Sequence, residues 1–283
     1  MVQYSLNKEN LLWAKRIVYM TSAAMPSKCK LVLISGVSGA MGRTYYKYFV
    51  RLKGVVCFGI ARRPSSDSRH VALDLLDKEK AEAFVQLLPI EGVSEILYMH
   101  LIGMAKFEPD GKPEIDHDGD GIDDEVYSSN VLTLKNIVSP LVKRAEELKI
   151  PISIVNICSI SDVYIVPLWQ SYSRSKNIVR QYMKSQPAFV RNIIINISSL
   201  KADLEKYGRP FADTSYWLNP RELLERSLPV IEIRLPVRTI EVDIFNPDPN
   251  YGPEYFTNIP LLLEKWRRDM GCPKGLIPLG IRI

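Results

Sequence analysis

Tyr172 and Lys176 stand four residues apart in Tyr-Ser-Arg-Ser-Lys, a spacing that puts both on one face of a helix. A phenol beside an ammonium is a proton-transfer pair. The positive charge favours phenolate and brings the tyrosine toward working pH, so that it gives a proton to a carbonyl oxygen or takes one back. A second chemical feature is Gly36-Val-Ser38-Gly39-Ala40-Met41-Gly42, between a short apolar run and a helix-like stretch. Glycines at such a joint permit a tight turn and close approach of the backbone to a pyrophosphate. The helix that follows offers free N–H groups to it.

The stretch Val55–Ala61 bears on which dinucleotide would fit. An NAD site usually ends its second strand in Asp or Glu, which bonds the ribose hydroxyls. Here Phe58-Gly-Ile-Ala61 ends without an acid and runs into Arg62-Arg63. A small residue followed by arginines leaves room for a 2′-phosphate and supplies charge to bind it, which favours NADP(H) over NAD(H). The plainer alternative is two solvated arginines on a loop. Asp74-Leu75 follows the next short strand, where an adenine contact is expected.

A third feature is the acidic stretch Asp116-His-Asp118-Gly-Asp120-Gly121-Ile-Asp123-Asp124-Glu125. Oxygens at every second residue converge on a hard cation such as calcium, and the glycine permits a sharp turn. The acid expected twelve residues from the start of such a loop is replaced by Tyr127, so Asp124 or Glu125 would complete the shell. A calcium ion on Asp116, Asp118, Asp120 and Asp124 and a solvated acidic turn are the two readings.

These residues need a scaffold, and the hydrophobic pattern supplies one. Strands are expected at Lys30–Ser35, Val55–Ala61, Val71–Leu73, Glu95–Ile102, Ile152–Cys158, Asn192–Ile197 and Ile240–Phe245. Helices are expected at Arg43–Leu52, Lys78–Leu88, Ser129–Leu148, Ser171–Ser185 and Pro220–Leu228. The alternation predicts an α/β fold with a single doubly wound, Rossmann-like parallel sheet, helices on both faces and strand order 3-2-1 then 4 onward. Near-continuous apolar runs such as Ile152–Ile157 suit strands buried on both faces.

The chain has 283 residues, 46% of them hydrophobic and 24% charged, enough for a full core. Thirty-seven basic against 32 acidic residues give a net charge of +5, too small and scattered to argue for nucleic acid. The apolar runs are strand-sized, so no membrane span is expected. Cys29, Cys57, Cys158 and Cys272 are far apart and form no metal-type pair, which fits a reducing cytoplasm.

The run Ile154-Val-Asn-Ile-Cys-Ser159 lies thirteen residues ahead of Tyr172-x-x-x-Lys176. Asn130, in Ser129-Asn-Val-Leu-Thr-Leu-Lys-Asn-Ile, precedes that run. In residue type and spacing this combination resembles the short-chain dehydrogenase/reductase family, over residues 30–250. The resemblance implies Tyr172 as general acid/base, with Lys176 lowering its pKa and holding the nicotinamide ribose. It implies Ser159 on the substrate oxygen and Asn130 in a proton relay through water. For the cofactor it implies Gly36, Ser38, Gly39, Ala40, Met41, Gly42, Ala61, Arg62, Arg63, Asp74, Leu75, Gly103, Ser199, Tyr172 and Lys176.

The chain departs from the family at four places. Ser35 replaces the usual Thr, and the glycines are spaced Gly-x-x-Gly-x-x-Gly. His100-Leu-Ile-Gly103 stands for Asn-Asn-Ala-Gly, and Ser198-Ser199 for Pro-Gly. His100 is then either a ligand contact or a packed side chain. The implied activity is NADP(H)-dependent interconversion of a small-molecule carbonyl and alcohol by a homo-oligomer. The alternatives are an epimerase or dehydratase with retained nucleotide and a non-catalytic NADP(H)-binding sensor. The expected organisation is a partly helical appendage over 1–28, the dinucleotide domain over 29–250, and a tail over 251–283 that makes substrate-side or oligomer contacts. Phe211, Tyr216 and Trp217 are candidates for an aromatic wall.

Overall fold

The structure, a computed structural model, describes residues 28–108, 111–162, 169–201, 209–251 and 258–271. The expected appendage, Cys272 and most of the expected tail lie outside them. Seven parallel strands form one sheet in the order β3-β2-β1-β4-β5-β6-β7. They are β1 Lys30–Ser35, β2 Val55–Ala61, β3 His70–Ala72, β4 Glu95–His100, β5 Ile152–Ser159, β6 Val190–Ile197 and β7 Thr239–Ile244. The expected α/β class and strand order are both present. The chain groups into two compact units. One runs through Leu101 and includes Thr133–Ile154; the other holds Ile102–Leu132 and the chain from Val155 on.

In the first unit β1 lies between β2 and β4. Leu31, Val32, Leu33 and Ile34 are all fully buried, so β1 is covered on both faces, as an apolar parallel strand must be. Ser35 is in register with Ile60 and His100, which aligns the strand ends where the glycine turn leaves. Helix α1, Ala40–Phe49, follows that turn and buries Tyr45, Tyr46 and Phe49. It begins three residues earlier than the pattern suggested, because Gly42 is part of its first turn and Gly39 is its N-cap. Helix α2, Lys78–Leu87, is capped by Asp77, whose carboxylate accepts from Lys80 N–H at 3.0 Å.

The expected helix Ser129–Leu148 is interrupted. A short helix α3, Asp124–Tyr127, leads into a π turn over Ser128–Leu132 and then into helix α4, Thr133–Glu147. Asp123 caps α3 through Glu125 and Val126 N–H, so the acidic residues belong to a helix start, where negative charge is favoured.

In the second unit helix α5, Gln170–Lys184, packs on β6, and helix α6, Pro220–Glu232, packs on β6 and β7. Helix α7, Ile259–Asp269, was not expected. Asn258 caps it, and a proline stands in its first turn. No described helix is long and apolar enough to cross a membrane. Cys29, Cys57 and Cys158 are buried thiols outside any disulfide, and burial pushes the Cys57 thiol up to about 12.

Candidate active site

The glycine turn sits in the first unit. Gly36 has φ of +79°, a conformation that favours glycine. Its N–H donates to Ile60 O at 2.9 Å, and Gly39 N–H donates back to Gly36 O at 3.0 Å. A Cβ on Gly42 would lie 2.1 Å from Gly36 O, so no side chain fits there. Gly39 is the N-cap of α1. It has no side-chain cap, and no acid stands in the first turn. The first N–H groups of α1, which include those of Ala40, Met41 and Gly42, therefore keep the positive end of the helix for an anion. Ser38 is exposed, and its carbonyl accepts from Arg43 Nη1 at 2.5 Å.

Ala61 ends β2, and Arg62 and Arg63 are exposed beyond it. Neither makes a hydrogen bond or ion pair among the described residues. The loop after them is tied back to α1, because Tyr46 Oη donates to Asp67 Oδ2 at 2.8 Å. Burial first, and then that carboxylate, push the Tyr46 phenol up. Asp74 is exposed, and its carboxylate accepts from Leu76 N–H at 3.0 Å. Leu75 places its side chain in the core, and its carbonyl accepts from Asn136 Nδ2 at 2.8 Å.

His100 is packed. Its Nδ1 lies 2.9 Å from Tyr98 Oη and 3.1 Å from Ser35 Oγ, and its Nε2 lies 3.3 Å from Thr133 Oγ1. All four residues are buried, so the histidine ties the ends of β1 and β4 to the start of α4.

The second unit brings Gly103, Asn130, Tyr172 and Lys176 together. Lys176 is 3% exposed. Its Nζ donates to Ile157 O at 3.1 Å and lies 5.6 Å from the centre of the Tyr172 ring. A Cβ on Gly103 would lie 3.5 Å from Lys176 Nζ and 3.7 Å from Asn130 Oδ1. Asn130 is held in the π turn, a feature often found at functional positions. Its Oδ1 accepts from Met104 N–H at 2.7 Å. Its Nδ2 donates to Met104 O at 2.9 Å and to Ser175 Oγ at 2.8 Å. Ser175 Oγ in turn donates to the Tyr172 carbonyl at 2.8 Å.

Ser159 ends β5, two residues past the carbonyl that anchors Lys176. Its Oγ accepts from Ser161 N–H at 3.1 Å and from Ser161 Oγ at 2.8 Å. Ser199 Oγ accepts from Arg209 Nη2 at 2.7 Å.

The sequence did not mark the aromatic neighbourhood of Tyr172. Trp169 meets the Tyr172 ring edge-on at 6.0 Å and the Trp266 ring at 5.6 Å, and its Nε1 donates to Met270 Sδ at 3.4 Å. The Arg209 guanidinium lies 4.1 Å from the centre of the Trp217 ring and 4.5 Å from that of Trp266. Of the expected aromatic wall, Trp217 is in this cluster, whereas Phe211 is 70% exposed. Asn258 and the proline behind it were the readable signal for the helix carrying Trp266.

In the acidic loop the carboxylates of Asp116, Asp118 and Asp120 lie within 4.8 Å of one another. Asp124 does not join them, because its carboxylate is paired with the His117 ring. That pairing, chiefly its hydrogen bond, raises the His117 pKa.

No protein-family model and no curated protein matches the sequence. Solved structures match in fold. One is a 4-hydroxyisoleucine dehydrogenase complexed with NADH, 20% identical, with a TM-score of 0.59; the match covers 76% of this chain and 96% of that one. Another is a short-chain dehydrogenase from Burkholderia cenocepacia in complex with NADP, 14% identical, with a TM-score of 0.60 and coverage of 86% and 96%. A third is the serine dehydrogenase from Escherichia coli, 16% identical, with a TM-score of 0.57 and coverage of 76% and 96%. The glycine turn, the strand order and these likenesses agree, and the chain has the Rossmann-like fold of the short-chain dehydrogenases/reductases.

Proposed function

We propose that this chain is an NADP(H)-dependent oxidoreductase of the short-chain dehydrogenase/reductase type, interconverting a carbonyl and an alcohol. The observation that carries the reading is the buried Lys176 ammonium, anchored on Ile157 O and set 5.6 Å from the Tyr172 ring centre. The nucleotides named with the solved neighbours are NADH and NADP, which supports a nicotinamide cofactor.

The residues of the glycine turn fit such a group, since Gly42 leaves backbone where a Cβ would stand and α1 starts without a side-chain cap. Gly36–Gly42 would hold the pyrophosphate, Arg62 and Arg63 a 2′-phosphate, and Lys176 with Tyr172 the nicotinamide ribose. When bound, the dinucleotide supplies or accepts the hydride. In the reductive direction Tyr172 Oη gives its proton to the carbonyl oxygen, and in the oxidative direction it takes that proton back. Ser159 Oγ accepts twice from Ser161, so its own proton is left to donate to the same oxygen.

The test is NADPH absorbance with a panel of ketones and aldehydes. Tyr172→Phe should lower turnover by about a hundredfold or more, the usual worth of general acid–base catalysis, while NADPH affinity stays within a few-fold. Retention of more than about a tenth of the rate would remove Tyr172 from this role. NADPH binding without turnover in either direction would favour the sensor.

A separate reading concerns the acidic turn. Three carboxylate oxygens within 4.8 Å suit calcium at Asp116, Asp118 and Asp120. Calcium chloride titrated into chelator-treated protein should release heat and raise the melting temperature. No heat and an unchanged melting temperature would leave a solvated turn.

A further inference from the structure

Helix α5 carries Tyr172 in its first turn, yet its N-cap residue, Trp169, makes no side-chain capping bond. The first N–H groups of a helix have no partner inside it, and an uncapped first turn frays. Here the partner is Glu108, 63 residues earlier in the chain and ahead of the acidic loop. Glu108 is buried, and its Oε2 accepts from Ser171 N–H at 3.2 Å while its Oε1 accepts from Ser171 Oγ. Ser171 is fully buried and adjoins Tyr172. Its Oγ also accepts from Asp123 N–H at 2.8 Å. Arg174, one turn on, donates from Nη1 to Gly121 O at 3.0 Å.

The loop is itself braced. Lys106 Nζ lies 3.1 Å from the buried Asp123 carboxylate and 2.7 Å from Glu125. The first turn of α5 is thus held from two sides. Asn130 acts through Ser175 on the Tyr172 carbonyl, and Glu108 and the acidic loop hold Ser171, the residue before Tyr172.

We propose that Glu108 is a positioning residue for Tyr172: by accepting both Ser171 donors it caps the helix from outside and fixes the phenol relative to Lys176. This rests on the reading of Tyr172 as general acid/base. Glutamine at 108 can still accept from Ser171 N–H through its oxygen and donate to Ser171 Oγ, whereas alanine can do neither.

The test compares Glu108→Ala, Glu108→Gln and Ser171→Ala by hydrogen–deuterium exchange over peptides spanning Trp169–Lys176. NADPH affinity and NADPH-linked turnover are measured with the best carbonyl of the panel. Glu108→Ala should speed exchange in that segment about tenfold with the rest of the chain unchanged. Turnover should fall about tenfold or more while NADPH affinity stays within about twofold. Glu108→Gln should restore exchange and return turnover to within about threefold of wild type.

Unchanged exchange in Glu108→Ala would overturn the proposal. So would a Glu108→Gln variant as impaired as the alanine, since charge rather than capping would then be at work. If Glu108→Ala does not fold, Ser171→Ala must show the same local loosening in milder form, and wild-type exchange there would overturn the proposal. Full turnover in Tyr172→Phe would sink the reading of Tyr172 and leave the exchange result standing.

Discussion

At the turn Gly36–Gly42 the chain is shaped by what its residues lack, whereas around Tyr172 it is held by what neighbouring side chains donate and accept. In the first unit the proposed pyrophosphate site is backbone alone. Gly36 takes a positive φ, Gly42 presses on Gly36 O, and Gly39 leaves the start of α1 uncapped. In the second unit Tyr172 depends on Lys176, Asn130, Ser175, Ser171 and Glu108, each of which contributes a polar atom. At Gly42 the backbone turn has no room for an added atom, while a side-chain site tolerates substitutions that keep the hydrogen bond.

The sharpest break of this comparison is a single methyl group. Gly42→Ala would put a Cβ 2.1 Å from Gly36 O and 2.7 Å from Val37 Cα, so the turn must open. Overpacking of this kind costs about 1–3 kcal/mol or more. NADPH affinity should fall by about a hundredfold, since the opened turn no longer presents its N–H groups together. Gly39→Ala meets Gly36 O at 3.3 Å with an allowed φ of −79°, and should lose less than about tenfold. Equal losses at the two positions, read by NADPH fluorescence titration, would show that packing does not shape the turn.

The same contrast explains what the sequence made legible. Glycines, strand ends and a four-residue spacing are local, so β1 and β2 were read to the residue and the Tyr172–Lys176 pair was found. The π turn at Asn130 was invisible, because hydrophobic periodicity does not distinguish one wider turn inside a helix. Helix α1 was started late, because glycine in a first turn reads as loop. The acids at 123–125 read as a metal loop, and the structure also uses them as a helix start. The bond between Glu108 and Ser171 was beyond reach, since no local pattern links residues so far apart in the chain.

The arginine pair lies midway between the two styles, a side-chain addition to a backbone site. Exposed Arg62 and Arg63 should each add a charge-assisted bond to a 2′-phosphate, worth about 1.5–3 kcal/mol. Ala61→Asp with Arg62→Ser should turn the proposed preference for NADPH into one for NADH. Each arginine-to-alanine change alone should weaken NADPH about tenfold or more and leave NADH nearly unchanged. Equal affinity of the unmutated protein for both cofactors would place the arginines in solvent.

Acid should separate the two regions with a smaller but directional effect. The turn Gly36–Gly42 has no titratable side chain, whereas the loop that braces α5 depends on Asp123. Burial would raise the Asp123 carboxyl, but hydrogen bonds from Lys106 and from the N–H groups of Val126 and Ile115 outweigh it and hold it below the usual carboxylate range. A depressed carboxyl contributes stability in full above its unfolded pKa, near 4, and loses it as pH falls through the folded value. Lys106 is opposite in sign. Burial would lower it, but Glu125 and Asp123 outweigh that and raise it. Its contribution is therefore complete below the unfolded lysine pKa, near 10.4, and is lost only as pH rises beyond the folded one. The brace should thus be intact from about pH 5 to pH 10 and fail first on the acid side. Exchange in Trp169–Lys176 should quicken below about pH 4 once corrected for the intrinsic pH dependence, before any change at Gly36–Gly42. Asp123→Asn should flatten that response, with a loss of a few degrees in melting temperature at neutral pH, since about 1 kcal/mol moves a protein of this size by about 2–4 °C. Simultaneous loosening of both segments on acidification would mean that the Tyr172 helix is held by the whole fold and not by this loop.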